Sequence, residues 1–106
     1  MHCATVLYPR KEGGSFDFDY YTNKHVPMVA KLLGASIEVR KGLSAPNGSS
    51  AAFACIGTIW IESLEKFQSL MAKHSSQIMS DIPNYTNIDP IIQLDEIVVQ
   101  TRSATL

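Results

Sequence analysis

A chain of 106 residues, 45% hydrophobic and 18% charged, has the length of one compact domain, expected to span 1–106 and leaving no room for a second. Nine basic against ten acidic side chains give a net charge of −1 with no block of like charge, so neither nucleic acid nor a membrane surface is an expected partner. A domain this small buries roughly 60 to 70% of its unfolded surface, and self-association is a natural source of further burial.

In chain order, His2 to Pro9 is an apolar, β-rich run too short for an ordinary helix and is read as a strand. Arg10-Lys11-Glu12 follows at once, so the run is too short and lacks the basic leader of an export signal; a cytoplasmic location is expected. Phe16 to Leu33 places Phe18, Tyr21, Met28, Val29 and Leu32 on one side at helical spacing, with Gly34 as the stop. Pro27 lacks an amide donor and crowds the preceding turn, which predicts a kink or restart near Lys24 to Val26. Ile37 to Lys41 alternates apolar with polar residues, as in a strand near a sheet edge. After the Pro46 to Ser50 turn, Ala51 to Ile61 reads as a strand. Ser63 caps a second helix to about Met79 that buries Leu64, Phe67, Leu70, Met71 and Ile78. Ile91 to Thr101, with Ile97-Val98-Val99, closes the series as a strand, and the composition of Arg102 to Leu106 assigns that tail no structure.

Strand, helix, strand, strand, helix, strand is the order of the α+β ferredoxin-like arrangement, βαββαβ, with a four-stranded antiparallel sheet and both helices on one face. On Ala51 to Ile61 both alternate sets of side chains are apolar, which asks for cover on both sides. One chain has no element left for the second face, so a homodimer pairing two sheets is expected.

His25 falls in line with Tyr21 and Val29, on the side of the first helix that faces the sheet. An imidazole there can take and return a proton near neutral pH, with Tyr21 as a hydrogen-bond donor beside it. Periodicity fits equally a His25 that bonds a backbone carbonyl freed by Pro27 and closes the kink. The other ionisable groups have plainer readings. Cys3 and Cys55 lie far apart without a Cys-x-x-Cys spacing and read as buried thiols. His2, His25 and His74 are too scattered for a metal site, so no metal is expected. Asp17 and Asp19 suit the start of the helix; Glu38, Arg40, Asp95 and Glu96 suit a solvated or dimer-rim surface. The same topology serves RNA binding and metal transfer, but Ala52 to Gly57 has one aromatic and no cation, and Pro9 to Gly14 has no cysteine pair. Gly13-Gly14 is too little for a phosphate loop.

Tyr20-Tyr21-x-x-x-His25-x-Pro27, with Leu7-Tyr8-Pro9 before it and Asp81-Ile82-Pro83-Asn84-Tyr85 and Ile88-Asp89-Pro90 after it, resembles the EthD family of the dimeric α/β barrel superfamily. The resemblance covers nearly the whole chain. It implies a homodimeric barrel and a ligand cavity between sheet and helices, with His25 as its polar centre and no cofactor. The family takes its name from ethyl tert-butyl ether degradation, and the superfamily includes muconolactone isomerases, polyketide cyclases and cofactor-free monooxygenases. His25 and Tyr21 are thus the candidate catalytic pair, and Tyr8, Tyr20, Met28, His74 and Asn84 the candidate ligand-binding residues.

Three functions follow from these readings. One is a cofactor-independent lyase, isomerase or cyclase in a degradation or secondary-metabolite pathway, acting on a small apolar oxygenated compound with His25 as general base. Another is a non-catalytic carrier or accessory subunit for a partner oxygenase. The third is a cofactor-free monooxygenase. An enzyme or carrier calls for a cavity of roughly 300 Å³ beside His25.

Overall fold

The β-branched and apolar residues of His2–Pro9 form the central strand β1 of the computed structural model, which describes residues 1–103. The sheet is four-stranded and antiparallel in the order β2-β3-β1-β4, with β2 (Ile37–Lys41), β3 (Phe53–Ile61) and β4 (Ile91–Glu96). β2 lies at an edge, as its alternation predicts. The helices cover one face of this sheet, giving the ferredoxin-like α+β arrangement.

Helix one restarts at Val26, within the stretch where Pro27 predicts a kink or restart, and the form of the break is a π-helical turn. Phe16 pairs with Thr86 in an isolated bridge, so the helix starts two residues later, where the Asp17 side chain accepts from Tyr20 N–H at 3.0 Å. A short α1 (Phe18–Tyr20) passes into a π-helical turn at Tyr21–His25 and then into α2 (Val26–Leu33). The Val26 N–H reaches back five residues to the Tyr21 carbonyl. The wider turn accommodates Pro27, which has no N–H to continue the α pattern. Gly34 ends α2 in the left-handed region at φ 58°, donating to Ala30. The second long helix, α3 (Leu64–Ser80), starts where Ser63 accepts from Lys66 N–H at 3.2 Å.

Two strand ends are shorter than expected. β3 begins at Phe53 rather than Ala51, because the pairing with β1 shifts register at Tyr8/Pro9 and Pro9 offers no donor. β4 ends at Glu96 rather than Thr101: its only neighbour is β1, whose first residue His2 already faces Glu96. Beyond that point the Ile97 N–H donates to Met1 O, and Val98 is 87% exposed. Of the tail expected without assigned structure, Arg102 and Ser103 are irregular and 104–106 lies outside the described residues.

Register sorts the side chains between the two faces. Ala4, Ile59, Ile37 and Leu94 share one row, and Val6, Gly57, Val39 and Ile92 the next, on the helix-covered face. Leu7, Ile56 and Ile91, then Thr5, Thr58 and Gln93, then Cys3, Trp60 and Asp95 form the rows of the opposite face. Among the described residues no helix is long and apolar enough to cross a membrane.

Candidate functional site

The π-helical turn brings Tyr21 and His25 onto one side, stacked with ring centroids 5.6 Å apart and planes at 17°. Both are buried, His25 at 4% exposure, in line with Val29 one turn on. The end of α3 supplies what His25 bonds. Asp81 ends that helix, a 3₁₀ turn at Ile82–Asn84 containing Pro83 reverses the chain, and Tyr85 follows, its carbonyl accepting from Asp17 N–H at 2.8 Å. Helix start and helix end are thereby tied together around the imidazole.

His25 Nδ1 lies 2.9 Å from Asp81 Oδ2, and Nε2 lies 3.3 Å from the Tyr85 hydroxyl. With Nδ1–H donating to the carboxylate, Nε2 keeps its lone pair and accepts from Tyr85. Asp81 Oδ1 accepts from the Tyr20 hydroxyl at 2.7 Å and from Asn84 Nδ2 at 2.9 Å. Tyr85 continues inward, its hydroxyl 2.7 Å from that of Tyr8. The Tyr21 hydroxyl neighbours the Tyr8 hydroxyl and the Cys55 thiol. All four tyrosines of the chain therefore meet around one histidine and one aspartate.

Burial lowers the His25 pKa below the ordinary imidazole value, and the neighbouring Asp81 opposes that shift without reversing it. His25 is accordingly neutral at pH 7. Partial burial pushes the Asp81 carboxyl up, but hydrogen bonds from Asn84, Tyr20 and His25 outweigh it and hold the group below its usual range. Burial raises the Tyr8 phenol to about 12 and raises Tyr21 and Tyr85 as well, so these hydroxyls stay protonated as donors. Burial also raises the Cys55 thiol to about 11, which suits packing rather than nucleophilic attack.

A cavity of about 50 Å³ opens between this cluster and the sheet. Tyr8, Tyr21 and His25 supply its polar side chains; Val6, Gly57, Ile59, Met71 and Ile82 are among its apolar walls. The volume holds about three or four water molecules, well short of the 300 Å³ expected for a drug-sized ligand. A more open hollow of about 350 Å³ lies at the start of α3, near Trp60, Ser63 and Lys66, but gathers no comparable set of groups.

The sequence candidates divide by place. Tyr8, Tyr21 and His25 line the cavity; Tyr20 and Asn84 bond Asp81 outside it. Met28 packs against the aliphatic core, its sulfur accepting from Gln77, and His74 is half-buried on α3; neither lines the cavity. The hydroxyl at Nε2 belongs to Tyr85, not Tyr21, and the ring nitrogens bond side chains rather than a carbonyl freed by Pro27. Asp81 and Tyr85 were absent from the candidates. They stand 56 and 60 residues from His25 in sequence, and their only signal was the Asp-x-Pro-Asn-Tyr run after the second helix.

A model of the EthD domain matches residues 15–89, a span that holds both the helix-one histidine and the Asp81–Tyr85 turn. The chain belongs to the EthD family. An EthD-like protein from Ralstonia eutropha JMP134 shares 38% identity over 94% of each chain, with a TM-score of 0.87. An EthD-family protein from Bacillus halodurans C-125 shares the fold at 23% identity, covering 92% of this chain and 99% of that one, with a TM-score of 0.63. HapK from Hahella chejuensis shares it more distantly, at 11% identity over 98% and 100% of the two chains and a TM-score of 0.54. No curated protein matches the chain.

Proposed function

We propose that this EthD protein binds a small apolar oxygenated compound beside His25, where the cavity of about 50 Å³ widens to admit it, and acts on it as a cofactor-independent lyase, isomerase or cyclase. The observation that carries this reading is the pair of buried His25 with part-buried Asp81, which fixes the imidazole tautomer and leaves Nε2 as the basic nitrogen. The Tyr85 hydroxyl turns its proton from Nε2 to the Tyr8 oxygen, which frees the Tyr8 proton for the ligand, and Nε2 then takes a proton from a carbon next to the ligand carbonyl. The C–H electron pair moves into the new C=C bond, and the carbonyl oxygen becomes an enolate oxygen facing the Tyr8 and Tyr21 hydroxyls. Returning the proton to another carbon isomerises the ligand; expelling a leaving group cleaves it. General-base and oxyanion contributions of this type are each worth roughly 10² to 10³ in rate or more.

The working unit is a homodimer, with a second copy on the sheet face opposite the helices. Leu7, Ile56, Trp60 and Ile91 on that face supply its apolar surface. Sedimentation measures this directly, and Ile56→Asp is expected to give monomers.

A second reading, a ligand carrier serving a partner oxygenase, is favoured by the engagement of both His25 nitrogens with side chains in this structure. Deuterium exchange separates the two. Acetone, butanone and cyclohexanone are incubated with the protein in D₂O, and loss of their α-protons is followed by NMR. An enzyme accelerates exchange of at least one ketone, and His25→Ala returns the rate to background; binding without accelerated exchange is the carrier result. Equal rates in the wild type and His25→Ala for every ketone overturn the base assignment.

A further inference from the structure

We propose that the His25 cavity selects uncharged ligands, small ketones, amides or alcohols, over carboxylates of the same shape, with the Tyr21 and Tyr8 hydroxyls reading the ligand oxygen. This rests on the cavity being the ligand site and adds the chemical class it accepts. No lysine, arginine, aspartate or glutamate lines the cavity. Behind the His25 side of the wall lies the Asp81 carboxylate, 2.9 Å from His25 Nδ1, and its negative charge opposes an incoming anion, while the Arg40 guanidinium is felt at Cys55 rather than at the imidazole. An anion drawn into this enclosure loses its hydration and meets only neutral donors. Burial keeps the imidazole neutral, so His25 offers no ready counter-charge.

A neutral oxygen faces a different balance. Tyr21 places its hydroxyl at the cavity floor over Gly57, where an added Cβ would stand 3.0 Å from that oxygen. Glycine at this position makes the approach feasible, and the hydroxyl has the Tyr8 oxygen and the Cys55 thiol as neighbouring side-chain acceptors. A ligand carbonyl competes well with a thiol sulfur as acceptor. Beyond the polar atoms of Tyr8, Tyr21 and His25 the walls are aliphatic side chains, the Met71 and Met79 thioethers and the Phe67 ring, which favours a hydrocarbon remainder.

Acetone, acetamide and acetate are close in size and shape and differ in charge, so they test the proposal at pH 7.5. Binding is read from NMR shifts of the Tyr8, Tyr21 and His25 ring signals on titration of the wild type, Tyr21→Phe and Gly57→Ala. Acetone and acetamide are expected to bind at least about tenfold more tightly than acetate. Both variants are expected to weaken acetone several-fold, and the methyl signals of the core report whether each is folded. Acetate equal to or tighter than acetone overturns the charge selection while leaving the cavity a ligand site. Absence of any shift at the three rings with all three probes overturns the cavity itself, and this proposal with it.

Discussion

The helix-covered face of the sheet carries two clusters of unlike composition. At one end Ala4, Val29, Leu33, Ile59, Ile61 and Ile78 pack as an aliphatic core. At the other Tyr8, Tyr21, Cys55, Tyr85 and Ile88 surround His25. The aliphatic cluster has no side-chain polar atom to satisfy, so its stability follows apolar area and fit. The aromatic cluster buries hydroxyls and an imidazole, and among the described residues none of its polar atoms lacks a partner. The second cluster thus holds a hydrogen-bond network that a simple apolar core would not require.

The sharpest way to separate the clusters is Leu33→Ala, which opens a hole in the aliphatic core without touching the His25 cavity. We expect a loss of about 2 to 5 kcal/mol in urea unfolding, with the His25 ring signals unmoved. A shift of those signals comparable to that from a Tyr85 substitution would make the two clusters one. Tyr85→Phe is the matching change at the other end. It removes the donor to His25 Nε2 and the partner of Tyr8, leaving buried polar atoms short of a bond at a cost of about 1 to 3 kcal/mol. Here the His25 signals must move; an unaltered imidazole would mean that the 3.3 Å contact carries no bond.

How far these regions were legible in the sequence follows the same division. Val29 and Leu32 repeat at helical spacing, β3 is apolar in both registers, and Ser63 and Gly34 mark helix ends, so the layers and the aliphatic core could be read directly. His25 was legible because it shares a helix face with Tyr21 and Val29. Its partners were not. Asp81 and Tyr85 are placed by a 3₁₀ turn whose direction depends on Pro83 and on the Phe16–Thr86 bridge, and no periodic pattern encodes such a meeting. The π-helical turn escaped too, because Pro27 announces a disturbed helix without specifying how the turn is relieved. Val98 and Val99 misled in the other direction: β propensity predicts a strand only where a neighbouring strand continues.

Acid sharpens the comparison by acting on one cluster alone. The folded His25 pKa lies below that of the unfolded chain, so this group's contribution is complete above the ordinary imidazole value and is lost as pH falls through the folded one. Asp81, also lowered, contributes above its ordinary carboxylate value and loses that contribution at still lower pH. Stability and the fraction of His25 free to act as a base are therefore both expected to fall on acidification. Asp81→Asn removes the charge that supports the imidazolium, so His25 titrates lower still in that variant, as ring NMR would record. A rise instead would show that Asp81 is not the group that supports the imidazolium.

The smallest effect on stability is expected at Gly57, where the two clusters adjoin. This glycine has an ordinary strand conformation, so alanine meets no backbone strain and gains about 0.4 to 1 kcal/mol by restricting the unfolded chain. Against this, the new methyl stands 3.0 Å from the Tyr21 oxygen and in ordinary contact with Val6 at 3.9 Å. The phenol must give way by a few tenths of an ångström, and its contacts with Tyr8 and Cys55 stretch with it. The two effects oppose each other, so Gly57→Ala is expected to unfold within about 1 kcal/mol of the wild type. Its Tyr21 ring signals shift while those of Val29 and Leu33 do not. A loss above about 2 kcal/mol would mean that the methyl disturbs the packing of β3 itself, and that the aromatic cluster cannot be altered without the aliphatic one.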